Sequence, residues 1–232
     1  MLQVKQFRYH IDNLGYLLHG EKYAMAVDGG AFDEILSFVE SHRLKLLFVA
    51  NTHGHMDHIG GNVTLLKQSN ARLLRYEKIH DREIELEGHK IRIYDTPGHT
   101  VDSICFHVDN ALITGDTLFN GTIGNCFSGD LKGFYHSIKK IMSLSGNTVI
   151  YAGHDYVREA VSFAKRLEPD NDYIETFARN YKPDHVSSLL KEELRVNPYL
   201  RFNERGIIDL LKKNGLPTKT EWQRWQSLMT IE

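Results

Sequence analysis

Cysteine is scarce in this sequence: Cys105 and Cys126 are the only two among 232 residues. Two cysteines are too few for the disulfide framework that stabilises small secreted domains, so we expect reduced thiols in a cytoplasm. No apolar run approaches the roughly 20 residues that a membrane-spanning helix needs. The first residues, MLQVKQFRYHIDNLGYLL, also lack the basic stretch and long apolar run of a signal peptide. These absences predict a cytoplasmic protein that does not act on membranes.

An excess of positive charge is missing as well. The chain has 28 Lys and Arg against 30 Asp and Glu, for a formal net charge of −2. Such a balance gives no general attraction to nucleic acid, so we expect no nucleic-acid partner. The hydrophobic share of 41% and the charged share of 25% are ordinary for a globular protein. The length allows one large domain with a small appendage.

The order of the predicted elements divides the chain into two regions. Up to about residue 157, short β-rich runs alternate with helical stretches, and hairpins mix with crossovers, which indicates sheets covered by helices. After that point the segments VREAVSFAKRL, DYIETFARNY, SSLLKEELR, GIIDLLKKN and TEWQRWQSLM all have helical character, with prolines between them. We therefore predict a catalytic domain at residues 1–157 and a helical domain at residues 158–232, called the helical tail below.

Histidine, in contrast, is concentrated in one short stretch. Residues 51–58 read NTHGHMDH, with three histidines and one aspartate in six positions. Imidazole nitrogens and carboxylates are the usual ligands of zinc and similar divalent ions. His53 and His55 are two apart, so in an extended loop their rings lie on the same side. Asp57 and His58 follow where a helix begins, and we expect them to point toward a second ion.

Further ligands are predicted at the ends of three strands. His99 follows the run KIRIYD, Asp116 follows NALI, and His154 follows TVIY, each beside a glycine. Any one of them alone would be interpreted as an ordinary loop residue. All three together with the 51–58 cluster indicate a metal site, because strand ends are where a rigid scaffold gathers functional side chains.

The motifs THGHMDH, TPGHT, GDTLF and AGHDY, in this order, resemble the metallo-β-lactamase superfamily over roughly residues 1–160. The resemblance implies a mixed α/β fold, a four-layer αββα sandwich with the metal site at one edge. It implies one ion held by His53, His55 and His99, a second held by Asp57, His58 and His154, and Asp116 between them.

Two divalent ions, zinc first and iron or manganese as alternatives, suit this donor set. A water between them loses a proton easily, since one zinc can lower the pKa of its water to about 7. An ion can also polarise a substrate carbonyl. Asp57, beside the nucleophile, is a candidate for a proton relay. Hydrolysis is the natural chemistry of such a site.

The helical tail narrows the prediction. LEPDN at 167–171 and EELRVNPYLR at 192–201, with GDTLF and GHDY, resemble glyoxalase II, the hydroxyacylglutathione hydrolases. The resemblance implies a monomer that hydrolyses S-lactoylglutathione to glutathione and D-lactate, the second step of methylglyoxal detoxification. A thioester suits the predicted site, because a thiol of pKa about 8.5 leaves as a thiolate without much help from an acid.

The predicted substrate site departs from the glyoxalase II pattern. Tyr156 matches a tyrosine of that family, but Asn125 and Phe127 occupy positions where the family has a basic residue and an aromatic hydroxyl. Arg224 matches the first member of a basic pair, and Ser227 occupies the second position. The departure implies either a local misalignment or other residues that do the same work, such as Arg158 or Arg201. Alternatively, it implies weaker glutathione binding or another acyl thioester as substrate.

Several other functions fit parts of the pattern. A persulfide dioxygenase shares the fold, but it uses a single iron and typically lacks the long helical tail. A non-catalytic relative would have lost ligands, and none is missing. A lactamase would need export, and a nuclease would need a basic clamp. Hydrolysis of a glutathione thioester is therefore preferred.

Overall fold

The computed structural model describes residues 1–80 and 82–231. Its strands are β1 Gln3–Tyr9, β2 Asn13–His19, β3 Tyr23–Val27, β4 Lys45–Ala50, β5 Arg72–Leu73, β6 Glu83–Leu86, β7 His89–Asp95, β8 Ile104–Val108, β9 Ala111–Gly115, β10 Val149–Ala152 and β11 Ser188–Leu189. Its helices are α1 Phe32–Ser41, α2 Met56–Ile59, α3 Asn62–Ser69, α4 Tyr76–Ile79, α5 Leu131–Met142, α6 Val157–Leu167, α7 Asp172–Asn180, α8 Leu190–Val196, α9 Arg205–Lys213 and α10 Glu221–Leu228. Among the described residues no helix has the length and apolar character to cross a membrane.

The strands form two sheets. The first has the order β1-β2-β3-β4-β5, and the second has the order β11-β10-β9-β8-β7-β6. Alternation of side chains along a strand gives each sheet two faces. In β2, Tyr16 and Leu18 belong to the core between the sheets, whereas Leu17 packs on the opposite side with residues of α1 and α3.

Helices cover the outer face of both sheets. Helices α1 and α3 pack on the first sheet through Ile35, Val39 and Leu65. Helix α5 and helices α8, α9 and α10 of the helical tail share one hydrophobic cluster with the outer face of the second sheet, where Leu112 and Ile150 lie. The layers are therefore helix, sheet, sheet, helix, and the predicted αββα sandwich with a helical C-terminal region is confirmed.

One predicted helix begins later than expected. The sequence predicts a helix throughout SSLLKEELR, but Ser188 and Leu189 pair antiparallel with Ile150 and Val149 of β10. Helix α8 begins only at Leu190. The reason is tertiary: the edge of β10 offers backbone partners, and hydrogen bonding to a sheet outweighs the local helical preference of two residues.

Candidate metal centre

The seven predicted ligands meet at one edge of the sandwich. They lie in the loop and short helix after β4, and in the loops that follow β7, β9 and β10. Backbone hydrogen bonds tie these loops together, from Ile104 to Thr52 at 2.8 Å and from Gly153 to Gly115 at 2.9 Å. A Cβ at Gly153 would stand 2.1 Å from Oδ1 of Asp116, so the close approach of the last two loops requires a glycine there.

Three histidines form the first group of donors. Nδ1 of His55 lies 2.9 Å from Nε2 of His53 and 3.0 Å from Nε2 of His99. Two imidazole nitrogens on one tetrahedral zinc lie roughly 3.3 Å apart, because each Zn–N bond is about 2.0–2.1 Å long. The three nitrogens therefore converge at close to the spacing that a divalent ion requires.

Asp57, His58 and His154 form the second group. Nε2 of His154 lies 3.3 Å from Nε2 of His58 and 3.3 Å from Oδ2 of Asp57. Asn13 donates from Nδ2 to the same Oδ2 of Asp57 at 2.9 Å and so fixes its direction. The donors of each group lie within 4.8 Å of one another.

Asp116 stands between the two groups. Its Oδ2 lies 3.5 Å from Nε2 of His99 in the first group and 3.5 Å from Nε2 of His154 in the second. Its Oδ1 is buried and lies 3.4 Å from Nε2 of His58, but it accepts no hydrogen bond in the described part of the chain. A buried carboxylate oxygen without a donor is costly unless a cation meets it. The residues present therefore fit two divalent ions that share this carboxylate.

A layer of inner partners orients the histidine rings. Nδ1 of His58 lies 3.0 Å from Oδ2 of Asp28, and Nδ1 of His154 lies 3.1 Å from Oδ1 of Asp12. Nδ1 of His99 donates to the backbone carbonyl of Asn125 at 2.9 Å. Each contact assigns the proton to Nδ1 and leaves Nε2 free to bind a metal.

Asp28 and Asp12 were not among the residues predicted from the sequence. Asp28 is fully buried and also accepts from the backbone N–H and the hydroxyl of Thr52, at 2.8 and 2.7 Å. Its φ of 52° is unusual for a residue other than glycine, and these bonds hold it in place. The available signal was the position of Asp28 directly after strand β3, the same placement that marked Asp116.

The protonation of the centre follows from its charges. Burial opposes ionisation of Asp116, but its hydrogen bond with His154 and the charges of His58, His154 and His53 lower its pKa to about 2. Burial also opposes a charge on His58, yet Asp28 and Asp116 raise its pKa to about 9. Burial lowers the pKa of His53 to about 4. In the metal-free protein at neutral pH, Asp116 is therefore a carboxylate, His58 carries a positive charge and His53 is neutral.

Three of the predicted substrate residues lie beside the centre. The ring of Tyr156 stacks on His154, with the centroids 5.1 Å apart and the planes at 5°. The ring of Phe127 lies 5.2 Å from that of His99, and its side chain is exposed. Asn125 also has an exposed side chain, and its backbone carbonyl is what holds His99.

Arg224 has its partners within the helical tail. Its guanidinium donates to Asn203 at 3.1 Å and to the carbonyl of Thr218 at 3.0 Å. Ser227 is buried and donates to the carbonyl of Pro217 at 2.9 Å. Neither residue has a described contact with the seven ligands, so the role of Arg224 in substrate binding stays a prediction.

Comparison with known proteins agrees with this architecture. The family model described as metallo-beta-lactamase superfamily matches residues 13–95 and 76–154, and the one described as hydroxyacylglutathione hydrolase C-terminus matches residues 155–229. The hydroxyacylglutathione hydrolase of Idiomarina loihiensis is 30% identical over 209 residues, which cover 83% of each chain. That of Brucella ovis is 30% identical over 228 residues, which cover 89% of each chain.

A solved structure shares the fold. The crystal structure of ETHE1 from Myxococcus xanthus superimposes with a TM-score of 0.68 at 22% identity, covering 97% of this chain and 99% of that one. Both regions of the chain, the sandwich with its gathered ligands and the helical tail, thus have counterparts in one family. The chain belongs to the metallo-β-lactamase superfamily and, within it, to the hydroxyacylglutathione hydrolase (glyoxalase II) family.

Proposed function

We propose that this protein hydrolyses S-(2-hydroxyacyl)glutathione, with S-lactoylglutathione as the reference substrate, to glutathione and a 2-hydroxy acid. The observation that carries the proposal is the pair of donor groups that share Asp116, placed in a chain whose tail matches the hydroxyacylglutathione hydrolase C-terminus. The relatives named above match this chain over most of their length, and both are named hydroxyacylglutathione hydrolase. We further propose that the protein is a cytoplasmic monomer.

The ions that we propose are two zinc ions, with iron or manganese as alternatives. His53, His55 and His99 would hold one, Asp57, His58 and His154 would hold the other, and Asp116 would contact both. When bound, such ions lower the pKa of a water molecule toward neutrality and withdraw electrons from a carbonyl oxygen. The protein supplies neutral Nε2 atoms, because the inner partners keep the ring protons on Nδ1.

Asp57 is the residue that we assign to proton transfer. Burial acts against its charge, but His58 and the hydrogen bond from Asn13 lower its pKa, so that Asp57 is a carboxylate at neutral pH. Its side chain is 40% exposed, unlike that of Asp116, and can therefore reach a water or a substrate. Oδ2 is held by Asn13, which leaves the other oxygen to accept a proton from the attacking water.

The leaving group explains why no further acid is needed. A thiol has a pKa of about 8.5, so the C–S bond breaks without prior protonation of sulfur. Tyr156 lies against His154 at the edge of the centre. Burial and the carboxylates Asp12, Asp116 and Asp57 raise the pKa of Tyr156 to about 12, so its hydroxyl keeps its proton and can donate to the substrate.

The test is hydrolysis of S-D-lactoylglutathione by the purified protein, loaded separately with zinc, iron and manganese, with the bound metal counted by elemental analysis. We expect turnover that falls at least about a thousandfold in His55→Ala, because one donor group then loses a ligand. His136→Ala, which removes an exposed histidine on α5, is the matched control and should keep full activity. No turnover by a folded protein carrying two ions would refute the proposed function.

A further inference from the structure

Several exposed hydrophobic side chains belong to the segments that carry the metal centre. Among the residues that the structure describes, eight large hydrophobic side chains are exposed. Four of these belong to segments that carry the centre, namely Ile11 at 90% exposure, Met56 at 75%, Val101 at 71% and Phe127 at 66%. We call these four residues the apolar rim.

The rim residues lie close to the ligands for reasons of chain geometry. Met56 stands between His55 and Asp57, and Val101 comes two residues after His99. Positions one or two apart place their Cα atoms within roughly 7 Å of each other. Both side chains are exposed within one or two residues of a ligand, which places them at the protein surface beside the centre.

Phe127 and Ile11 complete the rim from other loops. The ring of Phe127 lies 5.8 Å from that of His55 and 5.2 Å from that of His99. Ile11 precedes Asp12, whose Oδ1 lies 3.1 Å from Nδ1 of His154 in the second donor group. The rim therefore has members in segments next to both donor groups rather than along a single element.

Such exposure around a single site requires an explanation. Single exposed hydrophobic residues are common, but several around one site indicate a binding surface. Asn125, which is exposed two residues before Phe127, is neutral. A small, hydroxylated or charged group would leave these side chains in water, whereas an apolar group would cover them.

We propose that the apolar rim binds an alkyl or aryl group attached to the thioester, so that the enzyme prefers such thioesters to S-lactoylglutathione. This inference rests on the proposed hydrolysis of a thioester. The apolar group belongs to the substrate itself, in its acyl half or in its thiol half. The rim would make the same apolar contact with a group in either half. Two series of substrates distinguish the acyl half from the thiol half.

The first series keeps glutathione constant and lengthens the acyl group from acetyl through butanoyl to hexanoyl. The second keeps acetyl constant and lengthens a simple alkyl thiol from ethyl through butyl to hexyl. We expect kcat/KM to rise roughly twofold to fourfold per methylene in one of the series, because each buried methylene contributes about 0.8 kcal/mol. The responding series identifies the half of the substrate that covers the rim.

The variant that tests the rim is the double substitution Met56→Gln with Phe127→Ser. Both side chains are exposed, so the fold should tolerate the change, and an unaltered thermal midpoint checks this. We expect the kcat/KM ratio of the hexyl to the ethyl substrate, or of the hexanoyl to the acetyl substrate, to fall by roughly tenfold relative to wild type. Tyr173→Ser, which removes an exposed aromatic residue on α7, is the matched control and should keep the wild-type ratio.

Binding without hydrolysis gives a second measurement. Calorimetry with S-hexylglutathione and S-methylglutathione, which are thioethers, should show tighter binding of the hexyl compound in the wild type and equal binding in the double variant. The inference would be overturned if kcat/KM differed less than about twofold between the shortest and the longest substrate of both series and the two thioethers bound equally well. Thioester hydrolysis itself would remain intact. Absence of hydrolysis in every series would instead refute the proposed function.

Discussion

Two buried carboxylates, one in the metal centre and one where the helical tail joins the second sheet, are held in opposite ways. Asp116 has its pKa lowered to about 2 despite its burial, because histidines surround it. Glu193 is fully buried among neutral donors, and burial raises its pKa to about 7 despite hydrogen bonds from Ser188, Gly121 and Asn197. The depth of burial is similar, so the neighbours decide which state each carboxyl group adopts.

The opposite pKa shifts of Asp116 and Glu193 fit different roles for the metal centre and for the junction between tail and sheet. The centre keeps a negative charge on Asp116, one oxygen of which has no hydrogen-bond donor among the described residues, and that arrangement suits cations. The junction between tail and sheet surrounds Glu193 with three donors, at 2.6 Å from Ser188, 2.9 Å from Gly121 and 3.2 Å from Asn197. These hydrogen bonds satisfy Glu193 without a cation and fasten the tail to the sandwich.

Among the substitutions considered, Asp116→Asn should have the largest effect. The amide keeps the size of the side chain and removes the charge that both donor groups share. We expect kcat/KM to fall by roughly a thousandfold or more, equivalent to about 4 kcal/mol. Metal analysis should show fewer than two ions per chain. Asp184→Asn on the exposed surface is the control; an Asp116→Asn protein with full activity would mean that the charge is dispensable.

Glu193→Gln tests whether the buried carboxyl group of Glu193 makes the stability of the protein depend on pH. In the wild type the folded state keeps a proton that the unfolded state releases above its ordinary pKa of 4.5, so stability falls as pH rises from about 4.5 to about 7. The amide of the variant does not titrate. We expect the unfolding free energy of the variant, relative to wild type, to rise on the order of 3 kcal/mol between about pH 4.5 and pH 8. Urea unfolding at the two pH values measures it, and parallel pH profiles would contradict the assignment.

Asp28→Ala tests whether an inner partner of a histidine contributes to metal affinity. Asp28 binds no ion in the proposed arrangement, but it fixes the ring of His58. We expect metal affinity to fall about 10–100-fold, as is usual when the partner of a metal-binding histidine is removed. Competition with a chelator measures the change. Asp28→Asn, which retains an acceptor oxygen, should lose less metal affinity than Asp28→Ala. Equal metal affinities in the wild type and both variants would show that His58 needs no partner.

Arg224→Gln should have the smallest effect. The guanidinium of Arg224 bonds Asn203 and Thr218 near the protein surface, and such contacts contribute less than about 1 kcal/mol. We expect KM for S-D-lactoylglutathione to change less than about threefold. A tenfold increase in KM without a change in thermal midpoint would show instead that the tail reaches the substrate, as the resemblance to glyoxalase II predicts.

The convergence of the candidate ligands could be predicted because their positions repeat one local pattern. His99, Asp116 and His154 each follow an apolar run and stand beside a glycine, so sheet geometry brings them to one edge. Asp28 has the same placement, but a lone aspartate after a strand is equally what a turn needs, and its partner His58 is 30 residues away. Only the fold reveals that pairing.

Other features depend on contacts that carry no local signal. Strand β11 spans two residues, which is too short for any periodicity, and the edge of β10 alone selects its conformation. The exposure of Met56 and Val101 likewise could not be foreseen, because hydrophobic residues beside a ligand are more often packed inside. The sequence shows which side chains are present, whereas their burial depends on the neighbouring loops.

The short strand β11 has a consequence for how the folded chain behaves at high concentration. Val149, Ile150, Tyr151 and Ala152 form an apolar strand whose outer edge would otherwise offer free backbone groups to another molecule. An open edge of this kind invites strand addition and aggregation. Because Ser188 and Leu189 occupy it and the chain then turns at once into α8, the sheet ends on a segment too short to template further pairing. The tail thereby closes this one edge of the second sheet to strand addition from another molecule.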